Sequence, residues 1–182
     1  MAIKSTVFKV HLSVADLNRH YYEDHVLTLA RHPSETDLRM LVRVVAFALN
    51  AHEHLQCAKG LSSTEEPDLW QIDLTGQIQH WIELGQPDEK RVRQSCSKAN
   101  HVSVYSYQRG AHVWFEAIKD KIDRFDHLTI ALLTILDESA VERLIDRTMR
   151  LNCLIEDDQV LLTNSNSDSL AVSVTTVKAP QT

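Results

Sequence analysis

Glu66-Pro67-Asp68-Leu69-Trp70-Gln71-Ile72-Asp73-Leu74-Thr75-Gly76-Gln77-Ile78-Gln79-His80-Trp81-Ile82-Glu83-Leu84-Gly85 is the stretch on which the reading of this chain turns. Asp68–Leu74 and Ile78–Leu84 are rich in residues that suit a half-buried pleated surface, and Thr75-Gly76 reads as a two-residue hairpin turn between them. With that turn, residues opposed across the two strands have numbers summing to 151. Leu74 then faces Gln77, Trp70 faces Trp81, and Asp68 faces Glu83. Opposed side chains share a face with their Cβ atoms about 4.5–5.5 Å apart, so two carboxylates there repel each other. A divalent cation between them removes the repulsion, and hard oxygen donors select Mg²⁺, Mn²⁺ or Ca²⁺ over zinc. A slip of one residue would send Asp68 to the face opposite Glu83. Asp73 lies on the other face in this register, toward Ile78, and ranks below Asp68.

Outward from the hairpin, the pattern is of strands, then alternating elements, then strands. Thr6–Val14 alternates as a strand up to an Asp16-Leu17-Asn18 turn, and Tyr21–Ala30 returns as its antiparallel partner, a hairpin over 6–31. His32-Pro33 ends it, and Ser34 offers an oxygen to cap a helix. Leu38, Leu41, Val42, Val45, Ala46 and Leu49 recur at helical spacing, which predicts a helix running to about Gln56 and closed by Lys59-Gly60. Pro87 suits the first turn of a helix reaching Ala99. His101–Tyr107 reads as a strand, Gln108–Lys121 as a helix and Leu128–Leu136 as a buried strand, with Asp137 capping a short helix to Arg147. Met149–Glu156, Gln159–Thr163 and Leu170–Val177 alternate with period two between polar turns, a C-terminal β-meander over 149–177. The expected class is α+β, a single domain over 1–182 with a mixed central sheet and flanking helices within 34–136.

Composition narrows the function. The chain has 182 residues, 43% hydrophobic and 24% charged, with four Gly and four Pro, which excludes a disordered or collagenous protein. No apolar run approaches the roughly 18–20 residues that cross a bilayer, so no membrane role is expected. Cys57, Cys96 and Cys153 are odd in number and far apart, and the opening residues lack a signal peptide's apolar stretch; both point to a reducing cytoplasm. A net charge of −6 gives no global pull on nucleic acid, so any such role rests on a local patch. Lys90, Arg91 and Arg93 are the one stretch to nominate for phosphate contact. There is no His-Glu-x-x-His, no Cys-x-x-Cys and no Gly-rich phosphate loop.

An acid at the start of a helix, Pro67-Asp68 opening a strand, and Glu83-Leu84-Gly85 ending the next together resemble the PD-(D/E)XK nuclease core. More specifically, Ala30-Arg-His-Pro-Ser-Glu-Thr36, Arg39-Met40, Glu66-Pro-Asp-Leu-Trp70 and Trp81-Ile-Glu-Leu-Gly-Gln-Pro-Asp-Glu-Lys-Arg91 look like the bacterial YaeQ family, and the likeness extends over most of the chain. The nuclease resemblance implies that Glu35 joins Asp68 and Glu83 around Mg²⁺ or Mn²⁺, which lowers the pKa of a bound water and holds a phosphate oxygen. It also implies a lysine two residues after the Glu, where this chain has Gly85. Either Lys90 or Arg91 supplies that charge from the next helix, or the hydrolytic step is absent. Two functions follow: a metal-dependent nuclease acting on nucleic acid, or a nuclease-fold module without hydrolysis that binds nucleic acid or a protein partner.

Plainer roles compete at each position. Glu35, Arg39 and Arg43 are spaced by four and suit an ion-pair stripe of roughly 0.2–0.5 kcal/mol per pair. Asp68 suits a cap at the strand entry, Trp70 and Trp81 suit cross-strand packing, and Lys90, Arg91 and Arg93 suit a solvated helix face. An exposed edge on the meander would allow dimerisation by strand pairing.

Overall fold

A computed structural model describes residues 4–182. The strands are β1 (Thr6–Asp16), β2 (Tyr21–Arg31), β3 (Leu55–Cys57), β4 (Leu69–Ile72), β5 (Ile78–Leu84), β6 (Ala99–Ser106), β7 (Leu128–Ile135), β8 (Thr148–Glu156), β9 (Gln159–Asn164) and β10 (Ser169–Lys178). The helices are α1 (Asp37–Leu49), α2 (Glu89–Lys98), α3 (Ala111–Ile122) and α4 (Val141–Leu144), with 3-10 turns at Gly60–Ser62 and Glu138–Ala140. All ten strands join in one mixed sheet, in the order β2-β1-β8-β9-β10-β7-β6-β5-β4-β3. β5, β6 and β7 run parallel, as do β1 and β8, and the remaining pairs are antiparallel.

The sheet wraps α1. Met40 through Ala48 are all buried, nine in succession and apolar except for Arg43, so this helix is enclosed on all sides rather than striped. Inward residues of both sequence ends, such as Leu12, Leu29, Leu151, Leu162 and Val172, share one core with Leu41, Val45 and Phe47. The opposite face of β5–β7 carries a second, smaller core, where Trp81, Val102, Val104 and Ile130 meet Val92 of α2 and Ile118 and Ile122 of α3. That helical cover stops at β7. On β8 every second residue is exposed, because nothing among the described residues packs over the outer face there. No helix among the described residues is long and apolar enough to cross a membrane.

The expected α+β class, N-terminal hairpin and meander are present, but the mixed sheet is not confined to 34–136: β1 pairs with β8 and β10 with β7, which joins hairpin and meander to it, and the remaining differences have local causes. α1 ends at Leu49 rather than near Gln56, because the Asn50 side chain donates to Ala46 O and to the Tyr105 hydroxyl. Leu55–Cys57 then pairs with β4 as a strand. Thr36, not Ser34, caps α1 by accepting the Arg39 N–H, while the Ser34 hydroxyl is bonded to His32. Asp88, one residue after Pro87, caps α2 by accepting the Arg91 N–H. The meander has no free edge: β1 and β7 flank it, and the edges of the sheet are β2 and β3.

The hairpin register is right at the tryptophans for an unexpected reason. Asp73 N–H donates to Gln77 O, so the loop holds three residues, Leu74 to Gly76, and pairs Ile72 with Ile78. A bulge between Gln71 and Ile72 then absorbs the extra residue and restores Trp70 opposite Trp81. Asp73 builds this turn. Its carboxylate accepts from Thr75 N, Thr75 Oγ1, Gln77 N and the Gln79 amide, and the Thr75 hydroxyl foremost among these holds its pKa down to about 2.

Candidate functional site

The C-terminal end of β5, the N-terminus of α2, the side of α1 and the 59–66 loop enclose a cavity of about 610 Å³. Arg39, Asp68, Glu83, Lys90 and Arg91 all line it. The chain thus brings together four of the five residues nominated from sequence, and the fifth, Glu35, stands directly behind Arg39.

On the α1 wall, Glu35, Arg39 and Arg43 follow one another at the helical spacing of four, but the circuit they close is tertiary. Glu35 Oε1 accepts from Arg39 at 3.1 Å and Oε2 accepts from Arg43 at 2.8 Å. The second arm of Arg39 reaches across to Asp68 Oδ1 at 2.7 Å. Asp68 Oδ2 accepts the backbone N–H of Leu84 at 2.9 Å, which ties the acid on β4 to the end of β5. The side chains of Glu35 and Asp68 are only 2% exposed, so these pairs sit out of solvent and are held by mutual neutralisation. Beyond its pair, Arg43 donates to Ala30 O, while its Nε has no partner.

On the β5 wall, Glu83 Oε1 accepts both the Trp81 indole N–H at 2.8 Å and Arg91 Nε at 2.7 Å. Glu83 Oε2 has no hydrogen-bond partner among the described residues. Burial raises the Glu83 pKa and the nearby Asp68 charge adds to the rise, against the pull of Arg91 and the Trp81 N–H. Arg91 also donates to Thr64 O and Glu66 O, strapping the 59–66 loop to β5, and its guanidinium lies 5.4 Å from the Trp81 ring centre. The basic trio is therefore split: Arg91 points inward, Lys90 stands exposed at the mouth of the cavity, and Arg93 pairs with Glu89 on the surface. Trp70 and Trp81 pack edge to face, with centroids 6.2 Å apart, as their opposed positions predict.

Two glycines shape the pocket. Gly85 has φ +104 with its N–H donated to Tyr105 O, so a lysine at this position would be strained by the backbone itself. Gly60 has φ +52, and a Cβ there would lie 2.7 Å from Asp68 Oδ1. Sequence reasoning took Gly60 for a helix terminator and missed that the loop must pass against Asp68; the positive charge of Arg39 on two acids at once was also missed, although the four-residue spacing flagged half of it. Among the described residues no three His, Cys, Asp or Glu side chains are disposed to hold a metal ion, and the Arg39 guanidinium stands between Glu35 and Asp68.

The chain is thus an α+β protein whose mixed sheet surrounds a buried helix and whose acid–arginine pocket lies at the C-terminal end of β5. The chain belongs to the YaeQ family, whose model, described as YaeQ protein, matches residues 1–174. It is 38% identical over 181 residues to YaeQ of Escherichia coli (strain K12) and 37% identical over 181 residues to YaeQ of Salmonella typhi, covering 99% of each chain in both cases. The crystal structure of YaeQ from Xanthomonas axonopodis pv. citri superposes with a TM-score of 0.89 at 39% identity, over 97% of this chain and 99% of that one. YaeQ from Pseudomonas syringae superposes with a TM-score of 0.87 at 31% identity, over 96% and 97%.

Proposed function

We propose that the pocket is a phosphodiester site of the PD-(D/E)XK nuclease kind, in a cytoplasmic protein, and that it takes a divalent cation together with a nucleic-acid phosphate. The observation that carries this reading is the meeting of Asp68 and Glu83 in one cavity beside Arg39, Lys90 and Arg91. Three carboxylates face three guanidinium groups here, so the resting site is already neutralised. A lone cation gains little by entering it. A cation and a phosphate entering together gain more, since the phosphate takes over Arg39 and Arg91 and frees Asp68 and Glu83 for Mg²⁺ or Mn²⁺. The open Glu83 Oε2 is the first oxygen available to the ion, and Glu35 keeps Arg39 aimed at the shared space. When bound, the ion would supply a water of lowered pKa and hold a phosphate oxygen. Lys90 would add charge at the mouth of the cavity.

The positive φ of Gly85, which disfavours a lysine there, and the complete pairing of Asp68 favour a second reading, a nuclease-fold module that holds nucleic acid or a protein partner without cutting. One experiment separates them. Wild type, Asp68→Asn and Glu83→Gln are titrated with Mn²⁺ by calorimetry, with and without a single-stranded oligonucleotide, and the oligonucleotide is then run on a denaturing gel. Uptake that the oligonucleotide strengthens, that both variants lose and that is accompanied by scission supports the hydrolase. Uptake without scission supports the binding module. No uptake under either condition overturns the metal site.

A further inference from the structure

Among the described residues no helix packs over the outer face of β2, β1, β8, β9 and the first half of β10, while Val177 near the end of β10 meets the α2–α3 cluster, and one row across the bare face is apolar. Ala15 is paired with Tyr22 on one side and Leu154 on the other, Leu154 with Leu161, and Leu161 with Ala171. The row continues to Leu136, whose N–H donates to Ala171 O. Tyr22, Leu154, Leu161 and Leu136 are 56, 42, 37 and 61% exposed. Isolated exposed leucines are ordinary, but a contiguous apolar row spanning five strands and the residue that follows β7, on a bare sheet face, marks a contact surface.

The charges on either side of the row say what covers it. Toward one end of the strands lie Glu156 and the turn residues Asp157 and Asp158; toward the other lie Arg150 and, aligned with it on β1, His11, with Lys9 beyond, and one acid, Asp24 on β2, whose carboxylate accepts from the Ser13 hydroxyl. None of Lys9, Arg150, Glu156, Asp157 and Asp158 has an ion-pair partner among the described residues. We infer that this face docks a second copy of the chain, about a two-fold axis running along the apolar row. Rotation about that axis lays row on row and sets the acidic end of each copy over the basic end of the other, with Asp158 facing Arg150. A two-fold axis along the strands would instead oppose acid to acid. With strands about 4.8 Å apart and alternate residues about 6.7 Å apart, the patch from Arg150 to Asp158 covers roughly 650 Å² per copy, about 1,300 Å² in all. That falls within the roughly 1,200–2,000 Å² of stable specific interfaces, and two sheets stacked in this way pack as the halves of a β-sandwich do.

Sedimentation velocity on the full chain at low salt tests the inference, with thermal unfolding to show that each variant is folded. Wild type is expected to sediment at twice the chain mass at micromolar concentrations, and Leu154→Asp as a monomer. Arg150→Glu should weaken the dimer by roughly tenfold through like-charge repulsion at both ends of the interface. Adding Asp158→Lys to Arg150→Glu should restore it, since the double variant only exchanges the two ends. A wild type that stays monomeric, a dimer indifferent to Leu154→Asp, or a double variant no tighter than Arg150→Glu alone would each overturn the proposal.

Discussion

Glu35 and Glu83 serve the same pocket from opposite walls, and their surroundings differ in kind. Each oxygen of Glu35 accepts from a different arginine, and one of those arginines also neutralises Asp68. Glu83 crowds its donors onto Oε1, leaves Oε2 open, and has its pKa raised chiefly by burial. The α1 wall is a closed circuit in which every charge depends on its neighbour. The β5 wall has a free oxygen and a carboxylate whose charge is poorly accommodated. Paired carboxylates set geometry, although Arg43 Nε behind them stays without a partner, and the open carboxylate oxygen of Glu83 is where a ligand can enter, so removing a member of each wall should have unequal consequences.

The largest effect should come from opening the closed circuit. Glu35→Ala leaves Arg43, only 4% exposed, without its carboxylate, and stranding a buried charge costs about 3–5 kcal/mol. Urea unfolding should show that loss. The double variant Glu35→Leu with Arg43→Met should recover much of it, because both charges leave together. If Glu35→Ala unfolds within about 1 kcal/mol of wild type, the circuit is not closed and the contrast with Glu83 fails.

His80, three residues before Glu83 on the same strand, tests whether β5 itself penalises charge. Its Nε2 is bonded to Ser103 Oγ at 2.7 Å, and its ring meets His101 edge to face with centroids 4.7 Å apart. Burial, with the neighbouring His101 second, lowers its pKa from 6.5 to about 4. The unfolded chain therefore takes up a proton near pH 6.5 that the folded chain refuses until about pH 4. Stability is fully present above the unfolded value and falls as the pH drops across that window, by up to roughly 3 kcal/mol from this group. His80→Gln should flatten the slope between pH 6.5 and 4. An unchanged slope would show that the strand does not resist charge, and would remove burial as the explanation for Glu83.

The sequence showed the strands of the pocket more clearly than its charges. Period-two alternation marked both ends of the chain, and the pairing of Trp70 with Trp81 placed Asp68 and Glu83 at the same level of the hairpin. That success hides two compensating local errors, a loop one residue longer than read and a bulge that corrects for it, since hydrophobic alternation constrains the buried tryptophans but not the exposed turn. What the sequence did not show were partnerships across distance. The spacing of Glu35, Arg39 and Arg43 suggests pairs within a helix, and nothing local says that Arg39 also spans to Asp68 or that Arg91 straps Thr64 and Glu66. Long, flexible side chains choose partners only after the sheet has closed around α1. For the same reason the meander suggested an edge for dimerisation, whereas closure of the sheet leaves its face.

Gly60→Ala probes the seam between the walls, with a smaller effect. The alanine would be strained at φ +52, and its Cβ would press on Asp68 Oδ1, which Arg39 already holds. A loss of about 1–2 kcal/mol in urea unfolding is expected from the backbone strain and the displaced carboxylate. A variant as stable as wild type would show that the 59–66 loop can move off Asp68, so that the cavity opens by loop motion and not by exchange at Glu83.

Glu83→Gln should change stability least and is the sharpest test of the contrast. The glutamine carbonyl still accepts the Trp81 indole N–H, while loss of the Arg91 pair is offset by no longer burying a charge, so the net change at neutral pH should stay within about 1 kcal/mol. The pH dependence gives the sign. The folded pKa of Glu83 is raised above its ordinary 4.5, so its contribution to stability is fully present below that value and is lost as the pH rises through the folded pKa. Glutamine cannot lose it, so the variant should gain on wild type between pH 4 and pH 7 in paired urea titrations. If Glu83→Gln instead falls further behind wild type as the pH rises, the ionised carboxylate is a net stabiliser through Arg91. Glu83 would then belong with Glu35 as part of the scaffold, and the open oxygen would not mark the point of ligand entry.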